Sequence, residues 1–442
     1  MRLVEAAQLS DHPIVAIVGS GGKTSALFRL GRELPGPVFI TTTTHLGVEQ
    51  AAFADRQVTI FEDGDVKSFL EIPNEKVTLF TGPASVDLRL PGIGDAGLER
   101  LLEYCLGHQI SLLIEADGSR GLSLKAPAQH EPAIPGWVSD LIVVAGMQGI
   151  GKPLSNEVVH RPERFAAITG LKMGETISVE AVSRMLLHPE GGLKNIPAHA
   201  RRIVLLNQAD SELVQSQAGR IAGELTSGYH AALVGALQKT GNEEVSACYK
   251  PVAGVILAAG AAERYGAPKP LLEWKGETFV RRIAQTALQA GLNPVIVVTG
   301  YAGDRVQAAV ADLRVQIARN PDWQSGQASS VRTGIQALPD QTGAAIFFVS
   351  DQPQVTHRIL AAEMERHRTT QAAIVAPMID GKRANPVLFD RSAFEALSLI
   401  TGDAGGRQVF SRFAVSWLEW NDTDLLLDVD TPQDYQRLLN RK

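Results

Sequence analysis

Residues 252–272, VAGVILAAGAAERYGAPKPLL, constrain the chain most. An apolar run, Val252 to Leu257, passes directly into Ala258-Ala259-Gly260, and Arg264, Gly266 and Lys269 follow. A short apolar run bounded by small residues is the pattern of a strand buried on both faces. Small residues at its end let backbone N–H groups approach an anion, and nearby cations neutralise that anion. The stretch therefore outlines a nucleoside-triphosphate site, although a plain strand and turn produces the same opening.

At 442 residues the chain is too long for one typical domain. Its hydrophobic content of 45% and charged content of 20% are ordinary for a globular protein. With a formal net charge of -6, no basic surface points to nucleic acid. Cys105 and Cys248 are far apart and form no CxxC pair, so reduced thiols in the cytoplasm are expected. The opening MRLVEAAQLSDHP has no apolar signal core, and no apolar run approaches about 18 residues. Neither a secretory signal nor a membrane partner is expected, and the expected location is cytoplasmic.

The polar stretch Gln238–Pro251 separates a helix-like run, AALVGAL, from the strand VAGVIL. The linker is set at residues 241–251, between a first domain at 1–240 and a second at 252–442. Strand-like runs in the first are IVAIV, VFITTTT, VTLF, SLLIEAD, LIVVAG and RIVLLNQAD. Thr24–Glu33 and Ala96–Cys105 read as helices among them. VAGVIL, PVIVVTG, AAIFFVSD and QAAIVAP in the second are consistent with a mostly parallel sheet. The expected fold class is α/β, with two three-layer domains.

In the second domain AAIFFVSDQP ends a buried strand at Asp351, where open α/β sheets place their ligands. A carboxylate there suits Mg²⁺, which shares oxygen ligands with substrate phosphates. An Asp opening a turn before Pro is the structural alternative. In LLLDVDTPQDY, Asp428 and Asp430 flank Val429, so on a strand both face one side, while Asp434 suits a helix start. Ser329 and Ser330 of GQASSVRTGI either cap a helix, the default, or contact a nucleotide. GKRANPVLF and GDAGGR place Arg383, Asn385, Asp403 and Arg407 in loops.

Taken together, LAAGAAERYGAPKPLL, GQASS, DQP, NPVLF, GDAGGR and DVDTPQD closely resemble the MobA-like nucleotidyltransferases over about 252–440, and most closely the molybdenum cofactor cytidylyltransferases. The chain departs from that pattern at Ala262, where Ser is usual, and at Gly406, where Ala is usual. The resemblance implies a Rossmann-like domain. It also implies attack by the molybdopterin phosphate on the α-phosphorus of CTP, with pyrophosphate leaving. Arg264 and Lys269 would neutralise the triphosphate. Asp351, with Asp430 or Asp428, would hold Mg²⁺. Leu257, Ala258, Ala259, Gly260, Thr299, Gly300, Ser329 and Ser330 would line the nucleotide. The guanylyl relatives usually read LAGG, so the Ala259 methyl favours a pyrimidine.

In the first domain, Gly19-Ser20-Gly21-Gly22-Lys23-Thr24 lies between a strand and a helix, the context of a P-loop. Ile17 stands where the full motif wants Gly, so this is a shortened GxxGKT variant. Loop amides would cradle phosphate, Lys23 would reach terminal phosphates and Thr24 would ligate Mg²⁺. Glu115 and Asp117 end an apolar strand as metal or water-positioning carboxylates; a salt bridge to Arg120 or Lys125 is the structural alternative. The TTTT run either binds in the same way or is an ordinary strand end. NQAD is similar to a guanine-reading motif, with Gln208 in place of Lys. VGSGGKT, TTTT, EADGSRG, LKAP, GKPL and HRPE together resemble the selenium-dependent hydroxylase accessory family YqeC over about 10–235. The resemblance implies a P-loop-like nucleotide-binding domain taking ATP or GTP, with an apo molybdenum hydroxylase as partner. Three alternatives stay open: a guanylyl transferase, a sugar-phosphate nucleotidyltransferase, and a nucleotide-gated delivery chaperone or scaffold. His160 and Arg161 of VVHRPER bind an anion or simply start a surface helix.

Overall fold

Parallel strands covered on both faces need apolar residues at successive positions, not alternate ones. The computed structural model, which describes residues 1–61, 75–238, 244–261 and 265–440, shows how the chain uses them. It divides into two compact units, Met1–Tyr249 and Lys250–Lys442.

The main strands of the first unit are β1 (Ile14–Gly19), β2 (Val38–Thr42), β3 (Arg56–Thr59), β4 (Val77–Thr81) and β5 (Ser111–Glu115). They continue with β6 (Asp140–Gly146), β7 (Arg201–Asn207), β8 (Ala231–Gly235) and β9 (Val245–Tyr249). They form one sheet in the order β9-β8-β7-β6-β1-β5-β2-β4-β3, parallel except for the edge strand β9. Ile14, Ala16 and Val18 enter one core, while Val15 and Ile17 enter the other, which makes three layers. The sheet switches direction of growth at β1, so the carboxyl ends of β1 and β5 open side by side.

In the second unit the sheet strands are β10 (Val252–Ala258), β11 (Val295–Thr299), β12 (Gln316–Arg319) and β13 (Ala344–Val349). They are followed by β14 (Ile374–Ile379), β15 (Lys382–Arg383), β16 (Val387–Asp390) and β17 (Val415–Glu419). The order is β12-β11-β10-β13-β16-β14-β15, with β17 beside β14. β12, β11, β10 and β13 are parallel, and β10 with β13 forms the switch point.

Three sequence expectations change. AALVGAL contains strand β8 and not a helix, because a short apolar run has no period of its own and parallel pairing with β7 buries it. The expected linker contains β9, which pairs antiparallel with β8; residues 239–243 lie outside the described residues. The QAAIVAP strand joins through β16, which runs antiparallel to both β13 and β14. Among the described residues no helix is long and apolar enough to cross a membrane. Both cysteines are buried, and burial pushes the Cys105 thiol up to about 12.

One buried charge stands out against the apolar second unit. Glu363, on the helix His357–Thr370, is fully buried, and neither carboxylate oxygen has a hydrogen-bond partner. Burial drives its pKa well above the ordinary glutamate value. Below that ordinary value Glu363 is neutral in both folded and unfolded chains. As pH rises through it the unfolded chain ionises first, and the second unit loses stability. Glu363→Gln removes this loss: the urea midpoint of the second unit is expected to rise at pH 8 and stay near wild type at pH 4, followed through Trp274, Trp323, Trp417 and Trp420.

Candidate active site

Beyond β10 the chain turns through Ala259, Gly260 and Ala261 under a cavity of about 560 Å³. Arg264 and Ala262 lie outside the described residues. Leu257, Ala259, Gly260 and Ser330 line the cavity, as do Lys269, Asp351 and Asp430. Ala258 is wholly buried in the core behind the turn and does not line it.

Lys269 is the centre of the charged end. Its ammonium donates to Asp351 Oδ2 at 3.3 Å and to Asp430 Oδ1 at 2.5 Å. Burial disfavours the Lys269 charge, but the hydrogen bond it donates to Asp430 and the pull of Asp351 outweigh it, and the net shift is upward. Burial pushes the Asp351 carboxyl up, and Lys269 only partly offsets this. Asp351 Oδ1 is buried with no hydrogen-bond partner. A buried carboxylate oxygen left free beside a second carboxylate fits a hard divalent ion, which takes one or two carboxylates and completes its shell with phosphate and water.

Asp428 takes a different direction. It accepts from Gln352 Nε2 at 2.5 Å and lines a second cavity of about 380 Å³. The expectation that Asp428 and Asp430 face one side therefore fails. The segment pairs with no strand; instead the Asp430 amide turns back to the Asp428 carbonyl at 3.1 Å, a γ-turn contact. Buried Val429 holds the segment down, and its amide donates to the Asp351 carbonyl at 3.2 Å. Among the described residues no group of three or more His, Cys, Asp or Glu side chains gathers closely enough to hold a metal; Asp351 and Asp430 are the two carboxylates that share Lys269. Asp434 closes a capping box with Thr431, the helix-start role its position suggested.

Thr299, Gly300 and Ser329 back the site without lining it. Neither Ser329 nor Ser330 caps the helix Gln327–Gln336, whose N-cap is Gly326. Buried Asn320 donates to both hydroxyls, at 2.8 and 3.1 Å, and accepts the Asp322 amide at 3.0 Å. Sequence reasoning missed Asn320 and also Trp323 and Gln324 in the cavity wall. Only a position one to five residues beyond β12, at the carboxyl end of a parallel strand, hinted at them.

The second cavity shares Leu257, Gln327, Val349 and Asp351 with the first. Arg383 and Arg407 line it, with the Arg383 guanidinium 4.5 Å from the Phe410 ring centre. Burial, then the charge of Arg407, lowers the Arg383 pKa. Neither arginine pairs with a carboxylate among the described residues. Gly406 lies in the same wall, where a Cβ would come within 3.1 Å of Phe389.

In the first unit the glycine loop packs tightly. At Gly21, φ is +78° and a Cβ would lie 2.4 Å from Gly146 Cα. Lys23, at the start of the helix Lys23–Glu33, is 4% exposed; it donates to Gly19 O at 3.0 Å and Ser119 Oγ at 2.9 Å. It also pairs with Asp117 at 3.4 Å and Glu115 at 3.7 Å. Asp117 accepts the Gly19 amide at 3.0 Å and Lys125 at 2.7 Å, so the salt bridge weighed for it exists. Lys125 passes the chain of ion pairs to Glu131 at 2.9 Å, and Glu131 to Arg161 at 2.8 Å. Thr24 donates to Glu115 at 3.3 Å and accepts from Gln50 at 3.1 Å. Burial raises the Glu115 pKa against the pull of Lys23.

Three of the TTTT hydroxyls are spent on backbone: Thr41, Thr42 and Thr43 donate to the carbonyls of Phe80, Glu115 and Ala133, and the Thr44 hydroxyl pairs with that of Thr42. Asn207 of NQAD donates to Gly21 O at 2.7 Å, bracing the loop. Arg161, paired with Glu131, immediately precedes the helix Pro162–Thr169.

The family description "YqeC protein" matches residues 15–163, and "MobA-like NTP transferase domain" matches residues 254–417. An uncharacterized protein YqeC of Escherichia coli is 33% identical over 46% of this chain and 80% of its own length. A nicotine blue oxidoreductase of Paenarthrobacter nicotinovorans is 33% identical over 42% of this chain and 96% of its own. The chain belongs to both families. A molybdenum cofactor cytidylyltransferase of Escherichia coli is 26% identical over 41% of this chain and 92% of its own. The second unit is thus a MobA-like nucleotidyltransferase, and the first is a YqeC-like domain.

Lys269 sits between the carboxylates, where a divalent cation would have to compete with it. Lys269→Ala should therefore bind Mn²⁺ more tightly than wild type without nucleotide, by about tenfold on the scale of one nearby unit charge. Titration calorimetry reads this, and weaker Mn²⁺ binding would remove the competition argument.

Proposed function

We propose that the second unit is a molybdenum cofactor cytidylyltransferase: CTP and the molybdopterin cofactor give the cytosine dinucleotide cofactor and pyrophosphate. The observation that carries this reading is the pair of cavities meeting at Asp351, one over the Ala259–Ala261 turn and Lys269, the other with two uncompensated arginines. That arrangement suits two anionic substrates approaching each other, which repel unless positive charge and position bring them together. The name of the Escherichia coli cytidylyltransferase relative supports the substrate.

In this reading the turn and Lys269 hold the nucleotide, and Arg264 joins them. Arg383 and Arg407 hold the acceptor's phosphate monoester. An acceptor oxygen forms a bond to the α-phosphorus while the bond to the bridging oxygen of pyrophosphate breaks. The monoester is already ionised, so no side chain has to remove a proton. Asp351 and Asp430 would hold Mg²⁺, which when bound supplies charge neutralisation for the phosphates. Lys269 leaves its carboxylate partners for the triphosphate when nucleotide enters.

The first unit is read as an accessory nucleotide-binding module, for ATP or GTP, in the maturation of a molybdenum hydroxylase in the cytoplasm. One feature favours nucleotide-gated delivery over hydrolysis as its task. Lys23 is already neutralised by Asp117 and Glu115, so phosphate must displace a standing ion pair, as a switch requires.

Incubation with the molybdopterin cofactor, Mg²⁺ and each nucleotide, with mass analysis of the product, tests the transfer reading. A cytosine dinucleotide is expected, and a clear preference for GTP refutes the cytidylyl assignment. Asp351→Ala should reduce pyrophosphate release at least a hundredfold, on the scale of losing charge stabilisation in a transition state, with the urea midpoint little changed. Arg407→Ala should mainly raise KM for the acceptor. For the first unit, Lys23→Ala should abolish nucleotide-dependent activation of the client hydroxylase; intact activation would rule the glycine loop out.

A further inference from the structure

We propose that Trp323 is the surface on which the nucleobase of the bound nucleotide stacks. This rests on the nucleotidyl-transfer reading of the second unit and adds to it the residue that recognises the base.

The charged end of the larger cavity fixes where a triphosphate lies, since Lys269 is the cation in the described wall. The base must then lie away from Asp351 and Asp430. A base is a planar π-system, and it binds best against a flat apolar face. Among the described lining residues Trp323 is the only aromatic one. Its neighbours in that wall, Ala259 and Gly260, are too small to offer a face.

The indole is held in place for this task. Gly300 lets it seat against the turn: a Cβ there would lie 2.6 Å from Trp323 Cβ and 2.8 Å from the Ala259 carbonyl. The Tyr301 ring packs on it at 5.6 Å between centroids, tilted 59°, and the Tyr301 amide donates to Ala259 O at 2.9 Å. Asn320 accepts the amide of Asp322, which precedes the turn Trp323–Ser325. Trp323 is nonetheless only half-buried, and part of it remains in the cavity wall. Gly300 and Tyr301 thus connect the indole to the turn that would receive the phosphates, and Asn320 fixes the backbone before it.

Every base has a π-face, so stacking supplies affinity without choosing the base. The choice passes to groups at the edge of the ring. The Ala259 methyl and the Gln324 carboxamide, which has no hydrogen-bond partner among the described residues, lie in the same wall.

The test compares wild type, Trp323→Ala and Trp323→Phe in the full chain, with Mg²⁺ and either CTP, GTP or inorganic tripolyphosphate. Trp323→Ala should weaken CTP and GTP roughly 5- to 150-fold, the range for loss of one base–aromatic stack, and leave tripolyphosphate unchanged. Trp323→Phe should retain most of the affinity. The tryptophan emission change that CTP produces in wild type should be lost in Trp323→Phe. Wild-type CTP affinity in Trp323→Ala overturns the inference, and so does an equal loss for tripolyphosphate. Failure of wild type itself to bind any of the nucleotides would instead overturn nucleotidyl transfer, and stacking with it.

Discussion

The contact between Lys269 and the two carboxylates of Asp351 and Asp430 organises the second unit's chemistry. These three groups come from distant parts of the chain, and each is delivered by a different device. Asp351 follows a parallel strand, Lys269 sits on a short turn, and Asp430 precedes the last helix. Two acids this close repel when both are ionised, so a cation must stand between them. Lysine fills that role here. In the proposed reaction the same residue would mark where substrate charge enters.

The first unit solves a comparable problem more rigidly. Its glycine loop is braced by Asn207, its Lys23 is enclosed by acids, and a run of alternating charges leads from there to Arg161. Buried ion pairs of this kind give little net stability but fix one arrangement over others. The second unit keeps its lysine at the wall of an open cavity, whereas the first keeps its lysine 4% exposed inside a closed network. That contrast is why catalytic turnover is assigned to the second unit and gating to the first.

Much of the frame was legible from residue order. VAGVILAAG and AAIFFVSD are strands with small or acidic ends, and parallel pairing sets those ends side by side. What remained hidden depended on pairing and on single buried polar groups. AALVGAL carries no period that separates strand from helix, and only its neighbour β7 decides. Asp428 and Asp430 obey the two-residue alternation only if a ladder holds them, and none does. Ser329 and Ser330 look like helix caps, yet Asn320, nine and ten residues earlier, claims both. Trp323 gave no motif at all; its place depends on how closely Gly300 lets it approach.

The Val429 amide bonded to the Asp351 carbonyl joins the penultimate stretch of the chain to the end of a central strand. Asp430 and Val429 lie beyond the 254–417 span that matches the transferase family. Losing the stretch after residue 417 would therefore leave Lys269 and Asp351 without the third member of their charged cluster.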